Sequence, residues 1–86
     1  SFVFPYLIIF KTVDIPGITG LVTTSIGNQQ INIDTVSHNR HIKEYAVFSI
    51  ATTPCTLKQI EDAINDIKKN KHDVLLEEPK VMPILY

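Results

Sequence analysis

The sequence contains no tryptophan, and it has only one cysteine, one methionine and three glycines in 86 residues. A single cysteine cannot form an internal disulfide, which excludes disulfide-rich secreted scaffolds and leads us to expect a reducing, cytoplasmic compartment. The longest apolar run, around residues 6–10, is far shorter than the roughly 20 residues that a membrane-spanning helix needs. No basic segment typical of signal peptides precedes it. We therefore expect a soluble protein without a membrane partner.

An excess of one charge is also missing, because eight basic residues stand against nine acidic ones and give a net charge of -1. Such a chain has no broad field that would attract nucleic acid. Apolar residues make up 44% of the sequence and charged residues 20%, which is typical of a folded globular protein. We expect residues 1–86 to form one domain. Because the chain begins at Ser1 rather than methionine, we also expect it to be a fragment of a longer protein.

The first half of the chain predicts a strand, a short helix and a second strand. Residues 6–12 are apolar at consecutive positions, which predicts a central strand covered on both faces. Asp14 or Ile15 is expected to cap the helix, with Pro16 in its first turn and its end at residues 27–28. Residues 31–36 then alternate as a half-buried strand does, with Asn32 facing away from the core.

The second half predicts a strand over residues 44–52, which would form an antiparallel hairpin with the strand before it. Thr56 begins a capping-box pattern that opens the second helix. One apolar stripe of that helix comprises Leu57, Ile60, Ala63, Ile64 and Ile67. Residues 73–80 are expected to be a short extended piece or a loop. Residues 81–86 form the last strand, and Pro83 places it at a sheet edge.

This order of elements predicts an α+β fold of the ferredoxin-like βαββαβ type, with two helices on one face of a four-stranded antiparallel sheet. The other face of the sheet would then be covered by neither helix. We expect that face or a strand edge to be buried against a second copy of the chain.

The turn over residues 13–20 is the candidate binding site. Proline and glycine there force a change of direction, and the helix start that follows presents backbone N–H groups with a partial positive charge that favours an anionic group. No nucleophile with a base lies nearby, so we expect binding without catalysis. A purely steric role of Pro16 and Gly17 in starting the helix explains the same residues.

Three features together resemble the ACT domain, an amino-acid-sensing module of metabolic enzymes. They are the motif Asp14-x-Pro16-Gly17-Ile18, the triplet Ile31-Asn32-Ile33 and the order of the elements. The resemblance covers nearly the whole chain. Residues 73–74 and 78–85 further resemble the C-terminal ACT segment of bacterial homoserine dehydrogenase. The resemblance implies regulation by an amino acid, threonine in that enzyme, with NADP as a cofactor of the parent enzyme and no cofactor in this part.

The resemblance also implies a homodimer or higher homo-oligomer, paired through sheet edges or helices, with the amino acid at the interface. Thr12 and Asp14 would meet the ligand's amino or polar groups, and the backbone of residues 15–19 would bind its carboxylate. Asn32 of the partner subunit would complete the site, although a solvent-facing strand residue explains Asn32 equally. The ligand-binding residues that the resemblance implies are Thr12, Asp14, Ile15, Pro16, Gly17, Ile18, Thr19 and Asn32.

Other functions remain as alternatives. The chain could be a purely structural dimerisation module, or an ACT domain of aspartokinase or phosphoglycerate dehydrogenase. An acylphosphatase-like hydrolase would need an arginine in the first loop, and residues 17–20 contain none. His38-x-x-His41 lacks the carboxylate or cysteine of a complete metal site, so we expect no metal. We expect Cys55 to be a packed thiol rather than a nucleophile, and the lysines of residues 68–71 to be a solvated helix end rather than a phosphate site.

Overall fold

A computed structural model of the chain describes residues 2–38, 44–70 and 73–85. Six elements follow one another in these ranges: β1 (Tyr6–Val13), α1 (Ile18–Gly27), β2 (Ile33–His38), β3 (Tyr45–Thr52), α2 (Leu57–Asn70) and β4 (Lys80–Pro83). The strands form one open antiparallel sheet in the order β2-β3-β1-β4. The predicted ferredoxin-like α+β fold is confirmed. His41, Lys71, His72 and Tyr86, on which some predictions depend, lie outside the described ranges.

The sheet places β1 and β3 in the centre and β2 and β4 at the edges. β1 and β3 pair from Leu7 opposite Ala51 to Val13 opposite Tyr45. The predicted pairing of the second strand with the third is confirmed, and so is the edge position of the strand that carries Pro83. The bounds of β2 differ from the prediction, because the ladder begins two residues later and continues to His38.

β1 is covered on one face only, which corrects the prediction that both of its faces are covered. Its residues alternate strictly between buried and half-buried. On the covered face, Phe10 stacks on Phe48 of β3 with ring centroids 5.4 Å apart, and both rings are fully buried. On the open face, the Lys11 ammonium lies 4.4 Å from the centre of the Tyr45 ring. The apolar residues on the second face of β1 are therefore only half-buried, and no element in the described part of the chain covers that face.

α2 packs its apolar stripe on the sheet and begins with the predicted capping box. The Thr56 hydroxyl oxygen accepts a hydrogen bond from the Gln59 backbone N–H at 3.1 Å, and the Gln59 side-chain oxygen accepts one from the Thr56 N–H at 2.9 Å. The predicted stripe is buried from Ile60 to Ile67. Leu57 is the exception, since it is 47% exposed. It is the first residue of the helix.

The start of α1 differs from the prediction that Asp14 or Ile15 caps it with Pro16 in the first turn. The helix begins at Ile18, and the capping position is Gly17, which has φ 81° and supplies no side-chain hydrogen bond. Residues 16–17 form a separate turn, and the Ile18 N–H donates to the Ile15 carbonyl at 3.2 Å. Because φ is positive there, glycine is the residue that fits without strain. The helix ends at Gly27, as predicted.

The segment before β4 is a loop that carries one isolated bridge, with Leu75 opposite Thr12. It continues the edge of the sheet along the end of β1: the Val13 N–H donates to the Val74 carbonyl and the Leu76 N–H donates to the Lys11 carbonyl, both at 2.9 Å. Residues 77–79 then interrupt the ladder before β4 pairs with the start of β1. No helix in the described part of the chain is long and apolar enough to cross a membrane.

Candidate functional site

The turn between β1 and α1 is exposed from Asp14 to Gly17. A Cβ atom placed on Gly17 or Gly20 would meet no heavy atom within 4 Å, so there is open space beside the helix start. The N–H groups of Thr19 and Gly20 belong to the first turn of α1, where no preceding turn of the same helix supplies carbonyl acceptors. The first turn carries no acidic residue that would offset the positive end of the helix dipole. The turn therefore favours an anionic group such as a carboxylate.

Asp14 adds to the same turn a carboxylate, which favours a cationic group rather than an anionic one. It follows β1 directly and is exposed. A carboxylate can accept hydrogen bonds from an ammonium group, whereas the helix start favours an anion. An α-amino acid carries both an ammonium and a carboxylate on one carbon. The turn therefore has the two charge preferences that such a ligand requires.

Two other predicted residues have side chains turned away from the surface. Thr12 has no exposed area, and its hydroxyl donates to the Val13 carbonyl at 3.0 Å. Ile18 is 6% exposed and belongs to the core. A ligand at the surface would reach Thr12 only if neighbouring residues moved. Contact between Thr12 and a ligand stays a prediction, as do the roles of the other predicted site residues.

Asn32 lies at the opposite end of the sheet from the turn. Its carbonyl accepts the N–H of Thr53 at 3.0 Å, just beyond the last residue of β3. The turn follows Val13, which pairs with Tyr45, the first residue of β3. β3 has eight residues, and at about 3.3 Å per residue it separates the two places by roughly 25 Å. One chain therefore does not bring Asn32 to the turn.

His38 is the β2 residue that the structure places beside the turn, although it is not among the predicted site residues. Its Nε2 atom is 3.1 Å from the Thr19 hydroxyl oxygen, and its ring centroid is 5.9 Å from that of Phe48. The strand alternation contains the signal: His38 lies two residues after Val36, on the face that the helices cover.

Cys55 and Lys68 both have structural partners. Cys55 is buried, as expected of a packed thiol, and its Sγ atom is 3.6 Å from the Thr52 hydroxyl oxygen. Lys68 at the end of α2 donates to the Glu78 carboxylate. The part of the chain that the structure describes contains no group of three or more side chains suited to hold a metal.

No family model and no curated protein matches the chain. Several solved structures are similar to it in fold. A homoserine dehydrogenase from Thiobacillus denitrificans superposes with a TM-score of 0.80 at 18% identity over 96% of this chain. The ACT domain of GTP pyrophosphokinase from Chlorobium tepidum superposes with a TM-score of 0.70 at 15% identity over 93% of it.

The regulatory subunit of aspartate kinase from Thermus thermophilus is similar as well, with a TM-score of 0.73 at 12% identity over 96% of the chain. The chain spans very different shares of these proteins. It corresponds to 99% of the pyrophosphokinase domain, 52% of the aspartate kinase subunit and 18% of the homoserine dehydrogenase. At these identities the likeness establishes the fold.

Proposed function

Because the chain has the fold of ACT domains, we propose that it is a regulatory and oligomerisation domain that binds an amino acid at the turn between β1 and α1. The observation that carries this proposal is the pairing of charge preferences in the turn. The helix start favours a carboxylate, and Asp14 lies next to it with an exposed side chain. The turn has open space at Gly17 and Gly20 for the ligand.

In this proposal the domain belongs to a cytoplasmic homoserine dehydrogenase of aspartate-family biosynthesis, and threonine is its effector. The NADP cofactor and the catalytic residues belong to the rest of that enzyme. Support comes from the TM-score of 0.80 with the Thiobacillus enzyme, of which this chain covers 18%. The sequence resemblance of residues 73–74 and 78–85 to the C-terminal segment of homoserine dehydrogenase points the same way. Threonine would bind away from the catalytic site and shift the enzyme between states of different activity.

The proposed site needs two copies of the chain. Asp14 and the backbone of residues 15–19 come from one protomer, and Asn32 comes from its partner, because Asn32 of the same chain lies roughly 25 Å away along an eight-residue strand. Binding of threonine would therefore be linked to assembly: the ligand stabilises the dimer, and the dimer completes the ligand site.

Calorimetric titration with threonine tests the sensing part of the proposal. We expect saturable binding by the wild-type chain, and a loss of roughly tenfold or more in affinity for Asp14→Asn because a hydrogen bond between charged groups contributes about 1.5–3 kcal/mol. Asp62→Asn is the matched control, since Asp62 lies on α2 and pairs with Lys58. Absence of heat with threonine and with the other aspartate-family amino acids would exclude sensing.

A purely structural dimerisation module is the second candidate, and the open face of the sheet favours it. Half of the β1 residues are only half-buried there, and a second copy would cover them. Analytical ultracentrifugation separates the two candidates. A dimer that neither binds threonine nor becomes tighter with it would support the structural role alone, and a monomer at high concentration would count against both.

A further inference from the structure

A concave surface lies between α2 and the edge strand β4. It encloses about 320 Å³, which is at the lower end of the range for small-molecule pockets. One wall is a helical stripe with the spacing of one face of α2: Leu57, Glu61, Ile64 and Asn65. We call this surface the α2–β4 groove. Because β4 pairs with the first half of β1, the groove is distinct from the turn that follows the last residue of β1.

The floor of the groove is apolar. Ile64 is 6% exposed, Pro79 is buried, and Val81 is half-buried against the core. Leu57, 47% exposed, forms one end of the wall. A ligand that covered these side chains would remove apolar surface from water, which is favourable.

The rim of the groove is acidic. Glu61 and Glu78 contribute its two charged groups, and Asn65 contributes an amide. Lys68 pairs with Glu78, whereas Glu61 has no cationic partner among the residues that the structure describes. One carboxylate at the rim is therefore available to a cation, and an anionic ligand would be repelled by it.

We propose that the α2–β4 groove binds a small organic cation with an aliphatic body, such as a primary alkylamine. The aliphatic chain lies on Ile64, Pro79 and Val81, and the ammonium group pairs with the Glu61 carboxylate. Its charge preference is the reverse of that at the helix start of α1, so an amino acid carboxylate would not bind here. This site is independent of the function proposed above.

Nuclear magnetic resonance titration with n-hexylamine tests the proposal, with n-hexanoate as a ligand of the same length and opposite charge. We expect saturable shifts of the Leu57, Ile64 and Val81 amides with both ligands, the carboxylate requiring a several-fold higher concentration than the amine. Glu61→Gln should weaken amine binding by about two- to fivefold, as expected for a partly exposed ion pair. Glu77→Gln, an exposed carboxylate that does not line the groove, should leave the affinity unchanged.

The outcomes separate the proposal from its alternatives. Equal binding of n-hexylamine and n-hexanoate would show a groove without charge preference and would overturn it. Unchanged affinity in Glu61→Gln, or shifts that map to other parts of the surface, would also overturn it. Because Glu61 is exposed, the variant is expected to fold, and a thermal unfolding curve alongside the titration verifies this. Threonine binding at the turn is measured on different amides, so a negative result at one site does not affect the test of binding at the other.

Discussion

Gly17 and Gly20 form a matched pair that tests how the turn before α1 is held. They are three residues apart, and a Cβ atom at either position would meet no heavy atom within 4 Å. The difference between them is the backbone: Gly17 has φ 81°, whereas Gly20 lies inside the helix. Replacing each with alanine therefore changes backbone conformational energy without introducing a steric clash.

We expect the two variants to change stability in opposite directions. An L-residue in the left-handed region costs about 1–2 kcal/mol, so Gly17→Ala should lower the free energy of unfolding by about that amount. Gly20→Ala should raise it by about 0.5–1 kcal/mol, because alanine is preferred to glycine inside a helix. For a domain of this size, about 1 kcal/mol corresponds to roughly 4–8 °C in Tm.

Urea unfolding followed by far-ultraviolet circular dichroism measures both variants against the wild type. A change in the midpoint with an unchanged slope reports stability alone. If Gly17→Ala were as stable as the wild type, the left-handed conformation at residue 17 would not be required, and the account of the turn would be wrong. If both variants were destabilised equally, open space at these positions would be refuted instead.

Three further substitutions test the hydrogen bond that caps α2 and the packing of the core. Thr56→Ala removes the hydroxyl that accepts the Gln59 N–H, and it should lower the free energy of unfolding in urea by about 1 kcal/mol. Thr53→Ala removes a hydroxyl that donates to the Asn32 carbonyl at a longer distance of 3.4 Å. It should lower the free energy of unfolding by less than half of that amount. Phe48→Ala removes a fully buried ring that stacks on Phe10 and should cost about 3–5 kcal/mol; a loss below about 1.5 kcal/mol would contradict the assignment of Phe48 to the core.

The architecture could be predicted from the sequence because periodicity is a property of each segment alone. Strict alternation identified the second strand, and a stripe at helical spacing identified α2 and its capping box. The connections were short enough to leave few topologies. Coverage of β1 could not be predicted in the same way, since consecutive apolar residues are compatible with burial on two faces and with one open face.

Local backbone geometry was harder to predict than the order of elements. Asp14 and Pro16 resemble a cap and a first helical turn, but the chain forms a separate turn that ends at Gly17 in the left-handed region. Several turn types fit such a short stretch, and tertiary packing selects among them. His38 was missed for a related reason: strand alternation places it on the covered face, but its contact with Thr19 joins residues that are nineteen positions apart and follows only from the tertiary fold.

The central claim is that an amino acid binds at the turn between β1 and α1 of one protomer and meets Asn32 of the partner subunit. Titration of the isotope-labelled chain with threonine, followed by nuclear magnetic resonance, tests it most directly. We expect saturable shifts of the Gly17, Thr19 and Gly20 amides together with the Asn32 side-chain amide. Shifts at none of the turn amides at saturating threonine, or shifts confined to other parts of the surface, would contradict the claim.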